Sequence, residues 1–114
     1  MKLVELTSKG QFLDATKELC SPDIVSVEAM SMPGVPREMT GMDAVIGKGN
    51  WWMENHEVHS CKVEGPLVSL HHFCVRYMMD VTNKPSGNRM QLDELAVYQV
   101  KDGKIVREEF FYAM

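Results

Sequence analysis

Two extended runs, residues 89–100 and 105–112, are separated by the four residues Lys101-Asp102-Gly103-Lys104. An Asp-Gly pair between apolar strands is a strong hairpin signal, because the turn demands positive φ and glycine adopts it without steric cost. A chain with this hairpin must contain an antiparallel sheet, and the upstream segments have to supply its other strands and its cover. The same two strands hold four carboxylates: Asp93, Glu94, Glu108 and Glu109. Carboxylates in strands ordinarily face water. Four in one hairpin are enough to expect that one of them faces a pocket.

Upstream, residues 2–20 place Leu3, Leu6, Phe12, Leu13, Ala15, Thr16 and Leu19 at helical spacings, with Gly10 dividing the segment in two. Ser21-Pro22-Asp23 is expected to stop it, since proline cannot continue a helix. A strand follows over residues 24–30, with Ile24, Ser26, Glu28 and Met30 on one face and Val25, Val27 and Ala29 on the other. Pro33-Gly34-Val35-Pro36 reads as a loop. Gly41 then opens a helix over residues 42–55, where Val45, Ile46, Trp52 and Met53 share a face and Asp43 suits the helix dipole. Residues 56–64 read as a strand, Gly65-Pro66 as a turn, and residues 67–82 as a long strand ended by Asn83-Lys84-Pro85-Ser86-Gly87-Asn88.

In the long strand Phe73, Val75, Tyr77, Met79 and Val81 form one apolar or aromatic row. The opposite row is His72, Cys74, Arg76, Met78, Asp80 and Thr82. The apolar row is expected to meet the helices. Arg76 and Asp80 would then lie on the outer face, each pairing with neighbours across the sheet or a dimer interface. Helices, one strand, a helix and a run of hairpins make an α+β domain with helices on one face of a curved antiparallel sheet.

At 114 residues the chain is expected to form one domain, residues 1–114. A formal net charge of -4, with basic residues scattered, disfavours nucleic acid as a partner. No stretch approaches the roughly 18 apolar residues of a membrane span, and Glu5 interrupts the N-terminus too early for a signal peptide. The dispersed cysteines Cys20, Cys61 and Cys74 read as reduced, structural thiols and point to a cytoplasmic protein. His56 and His59, and His71 and His72, point to opposite faces of extended segments, so no metal site is expected.

The order of elements resembles the nuclear transport factor 2-like superfamily, in its SnoaL-like, polyketide cyclase-related branch. The resemblance rests on Asp23-Ile24-Val25-Ser26-Val27-Glu28, on Gly41 with Ala44, and on Asp102-Gly103-Lys104-Ile105 leading into Phe110-Phe111-Tyr112. It implies a cone-shaped roll: three helices from the N-terminal half wrapped by a strongly bent sheet, with a pocket between them. It also implies a homodimer packed through the outer sheet face. Such proteins catalyse isomerisation, cyclisation or dehydration, or only bind, so the fold alone names no reaction. In the related ketosteroid isomerases the general base is an Asp on the strand matching residues 25–30. Aligning the shared Val-Glu pair puts Ala29 there, a departure from that pattern.

The carboxylates expected to handle protons are Glu28, beside that position, and Glu94, where the family's second pocket acid lies. A carboxyl in an apolar pocket has its pKa raised and can exchange protons near neutrality. His56 is a further catalytic candidate at the cavity mouth, since histidine titrates in the useful range. Trp52, Tyr98, Phe73 and Tyr77 would bind substrate. Asp93, Glu108 and Glu109 are expected at the surface or in pairs. The expected function is cofactor-free isomerisation or cyclisation of a small apolar molecule bearing a carbonyl. The alternative is a non-catalytic dimeric ligand-binding or scaffolding module.

Overall fold

The computed structural model describes residues 2–29 and 36–112. The elements run α1 (Lys2–Ser8), α2 (Phe12–Leu19), β1 (Cys20–Val27), β2 (Glu38–Thr40), α3 (Met42–Asn55), β3 (His56–Val68), β4 (His72–Asn83), β5 (Arg89–Lys101) and β6 (Lys104–Phe111). The six strands form one sheet in the order β2-β1-β6-β5-β4-β3, and the three helices cover one face of it. The expected α+β architecture is present. All neighbouring strands are antiparallel except β1 and β6, which run parallel. That pairing lies outside the hairpin logic, because it joins strands from opposite ends of the sequence. No helix among the described residues is long and apolar enough to cross a membrane.

Several boundaries follow local chemistry closely. Gly10, at φ 76, breaks α1 from α2, and Gly41, at φ 99, opens α3 at the expected residue. Asp102 and Gly103 have φ of 53 and 77, the two positive values of a type I′ turn, and Lys101 pairs with Lys104 across it.

Two expectations are corrected and one strand is new. The helical segment ends at Leu19, just before Ser21-Pro22-Asp23 as expected, but strand β1 begins at Cys20 rather than at residue 24 and carries these residues through an irregularity in its pairing with β6. Gly65-Pro66 is not the turn between β3 and β4. Those two residues form a bulge, between the pairs Glu64–Arg76 and Leu67–Cys74, and the chain reverses later, at residues 69–71. A bulge tolerates a proline, which cannot donate to the ladder. Strand β2, antiparallel to β1, has no signal in the sequence. The loop read at Pro33-Gly34-Val35-Pro36 lies, except for Pro36, outside the described residues, as does Met30.

The core sits between the helices and the inner sheet face. Phe73, Val75, Tyr77, Met79 and Val81 of β4 are all buried against the helices, as the apolar row predicts. Arg76 faces outward and ion-pairs with Asp93 at 2.6 Å and Glu64 at 3.0 Å, while Asp80 pairs with Arg89 at 2.7 Å. Inner and outer faces are therefore assigned without ambiguity along β4 and β5.

Candidate active site

Alternation along β5 turns Met90, Leu92, Glu94, Ala96 and Tyr98 to the inner face and Asp93 to the outer one. Glu94 stands opposite Tyr77 and two positions from Ala96, four from Tyr98. No hydrogen bond among the described residues reaches its carboxyl. Burial pushes its pKa up to about 7, the nearby charge of Glu28 adds to this, and Lys48 opposes it. Tyr77 and Tyr98 share a hydrogen bond between their hydroxyls at 2.7 Å. Burial raises Tyr77 to about 12 and Tyr98 well above its ordinary value. Both phenols therefore stay protonated at neutral pH. Phe73 stacks on Tyr98 with ring centroids 4.8 Å apart.

A second group lies beside these. Ile24 and Ser26 turn inward from β1, with Ser26 wholly buried, and Glu28, just past the strand's end, lies on the same face. Lys48 projects from α3, donates to Ser26 Oγ at 2.6 Å, and ion-pairs with Glu28 at 3.0 Å. Ser26 in turn donates to Glu108 Oε1 at 2.9 Å. The hydroxyl of Tyr112 donates to the other oxygen of Glu28 at 3.1 Å. The ammonium also lies 5.6 Å above the ring of Phe110. Burial raises the pKa of Glu108, and its bond from Ser26 and the charge of Lys48 work against that shift. Three carboxyls thus converge around one ammonium. Glu28 takes the ammonium directly, Glu108 takes it through Ser26, and Glu94 has only its distant field.

Glu108 is a correction. The sequence reading puts it at the surface or in a pair, yet it is 8% exposed and faces inward. Strand β6 holds an extra residue, Val106: β6 advances two positions from Ile105 to Arg107 while β5 advances one, from Val100 to Gln99. The extra residue inverts the alternation, so Ile105 and Glu108 both point in although they are three apart. Lys48, Ser26 and Tyr112 carry no chemical signal in the sequence either. A lysine between Gly47 and Gly49 reads as a solvated helix position, and nothing local reveals its acidic partners. Gly49 leaves room for α2; a Cβ there would stand 2.8 Å from Leu13 Cδ2.

The structure brings together Glu28, Glu94, Tyr77, Tyr98 and Phe73 of the expected residues. It does not bring His56 to them, and Trp52 packs against the edge of the same core. His56 follows α3, donates from Nδ1 to the carbonyl of Trp52 at 2.8 Å, and stacks on that indole at 4.4 Å. Its strand partner is Asn83, six residues along β4 from the Tyr77 that faces Glu94, or roughly 20 Å of strand. Among the described residues no cluster of three or more His, Cys, Asp or Glu is placed to hold a metal ion.

Residues 1–112 match the family of SnoaL-like domains. A protein from Mesorhizobium loti described as a candidate SnoaL-like polyketide cyclase, and in brackets as a carbohydrate phosphatase, is 41% identical. The match covers 97% of this chain and 93% of that one, with a TM-score of 0.91. A nuclear transport factor 2-like protein of unknown function from Burkholderia pseudomallei is 19% identical over 97% of this chain and 85% of its own, at a TM-score of 0.80. A candidate isomerase from Bacillus subtilis is 16% identical over 98% and 81%, at 0.75. The last two bear on the fold alone. No curated protein matches.

Proposed function

The chain belongs to the SnoaL-like domain family, and from that premise we propose that it catalyses proton transfer on a small apolar carbonyl compound, as an isomerase or cyclase acting through its own side chains. The observation that carries the reading is Glu94: an inward-facing carboxyl with no hydrogen bond among the described residues and a pKa of about 7. A base is most useful when its pKa lies near the working pH, and a carboxyl without partners is free to take a proton from carbon. The Tyr77–Tyr98 pair has two hydroxyl protons and uses one in its own bond. The other supports a developing enolate oxygen, stabilising charge where it forms.

In this reading Glu28 is an electrostatic partner rather than the base. Its ion pair with Lys48 and its bond from Tyr112 occupy both oxygens, and its charge keeps Glu94 high. A phosphatase chemistry is disfavoured on charge: the inner cluster offers a phosphate one ammonium, already paired, against three carboxyls. A second reading, a non-catalytic binding module, has one observation in its favour. The inner face around Glu94 is filled by Phe73, Tyr77, Met79, Ala96 and Tyr98, each no more than 6% exposed.

Exchange of α-protons of simple ketones for deuterium, followed by NMR, separates the two. The wild-type protein is expected to catalyse exchange, and Glu94→Gln to lose about 100-fold or more of it. Equal exchange by both proteins removes Glu94 from the chemistry, and no exchange by either favours the binding module.

A further inference from the structure

Strand β3 is an edge strand of the sheet, separated by β4 from Glu94 on β5. Val58 and Cys61 stand three apart yet both face inward, because His59 is an extra residue. From Val58 to Ser60 β3 advances two positions, while β4 advances one, from Val81 to Asp80. Bulges bend a strand and re-aim its side chains, and they recur beside ligand sites. Next to this one lies a cleft of about 450 Å³ between β3, the α1–α2 turn and α3, floored by Phe12, Met53, Val58 and Cys61, with Lys9 at its rim. That volume lies in the range of small-molecule pockets, roughly 300–1,000 Å³. An apolar floor with a polar rim suits a ligand whose body is hydrocarbon.

Two connections run from this floor to Glu94. Phe12 meets Tyr77 edge-on with ring centroids 6.5 Å apart, and Tyr77 is the strand partner of Glu94. Cys61, paired with Met79 on the adjoining inner row, has its thiol pKa raised by burial and further by the charge of Glu94.

We propose that this cleft is the apolar-chain subsite and entry for the ligand, holding the alkyl or aryl body of a carbonyl compound against Phe12, Met53, Val58 and Cys61 with its carbonyl end toward Glu94. The proposal rests on the reading of Glu94 as the base and adds where the rest of the molecule lies. It makes affinity a function of chain length on the side of the carbonyl away from the reacting carbon. Short methyl ketones leave the floor uncovered, and longer ones bury one methylene after another against it.

Methyl ketones from 2-butanone to 2-octanone, titrated into the wild-type protein and followed by NMR shifts, test this. Each added methylene is expected to tighten binding about three- to fourfold, and 2-octanone to bind on the order of 100-fold more tightly than 2-butanone. Cys61→Trp and Val58→Trp fill the cleft and are expected to abolish that dependence, with folding checked by circular dichroism. The unaltered protein provides a test without substitutions, because peptide mass spectrometry follows iodoacetamide modification of Cys61 and Cys74 separately. At ten times its dissociation constant 2-octanone is expected to slow modification of Cys61 about tenfold and to leave Cys74 unchanged. Affinity independent of chain length, or an unchanged Cys61 rate with 2-octanone bound, overturns the subsite. If Cys61 is protected but Glu94→Gln exchanges protons normally, the subsite stands and the assignment of the base fails. If Glu94→Gln loses exchange while Cys61 stays unprotected, the base stands and the subsite fails.

Discussion

Replacing Glu94 by Gln keeps the shape of the side chain and removes its ionisation, so it isolates what the buried carboxyl costs the fold. The pKa of this group stands at about 7 in the folded protein against an ordinary 4.5. Below pH 4.5 the carboxyl is protonated in both folded and unfolded chains and carries no penalty. Between there and pH 7 the folded protein retains a proton that the unfolded chain releases, so stability falls as pH rises; above pH 7 the loss is complete. At 1.36 kcal/mol per pH unit the difference comes to about 3 kcal/mol, trimmed to about 2–3 by partial exposure of the side chain. That is a large share of the 5–15 kcal/mol that typically holds a domain folded. Urea unfolding at pH 4, 6 and 8 reads it directly. Glu94→Gln is expected to match the wild type at pH 4 and to exceed it by about 2–3 kcal/mol at pH 8. A constant difference across that range would show that Glu94 is not raised by burial, and the reasoning fails.

Lys48→Met removes the ammonium that pairs with Glu28 at 3.0 Å and is expected to destabilise the fold by about 2–4 kcal/mol, because a largely buried carboxylate loses its counter-charge and keeps only the bond from Tyr112. Adding Glu28→Gln should return part of that loss, and a double-mutant cycle by chemical unfolding checks the coupling. Gly65→Ala is expected to cost about 1–3 kcal/mol in the same assay, since φ there is +126 and a Cβ would stand 3.0 Å from the carbonyl oxygen of Cys74. Among the cysteines Cys20 should react last with a thiol reagent in the folded protein, because it is 5% exposed and burial pushes its thiol to about 12. Faster modification of Cys20 than of Cys74 contradicts that placement.

Local signals carry the fold a long way. Helix α3 begins and ends where Gly41 and the helical spacing place it, and the Asp102-Gly103 turn has the backbone its residues favour. Glu94 is legible through the family pattern, which implies a pocket acid there, and the strand face it shares with Tyr98 is the buried one. Glu28 is legible as the neighbour of Ala29 in the family pattern, and it turns inward on the face that alternation shares among Ile24, Ser26 and Glu28. What stays hidden depends on irregularities that no period reveals. The extra residue Val106 turns Glu108 inward, and the extra residue His59 turns Cys61 toward the cleft. Lys48 is hidden for a different reason: its partners lie on β1 and, through Ser26, on β6, and only the packing of α3 against the sheet assembles them. His56 shows the converse. Its titration range suggests chemistry, while its ring is engaged at the end of α3 by Trp52 and Asn83.

The proposal that Glu94 exchanges protons near neutrality is tested most directly by a carbon-detected NMR titration of its side-chain carboxyl in the wild-type protein. A midpoint of about 7 is expected, falling when Glu28→Gln removes the neighbouring charge. A midpoint at the ordinary 4.5 would remove Glu94 as a base working near neutral pH.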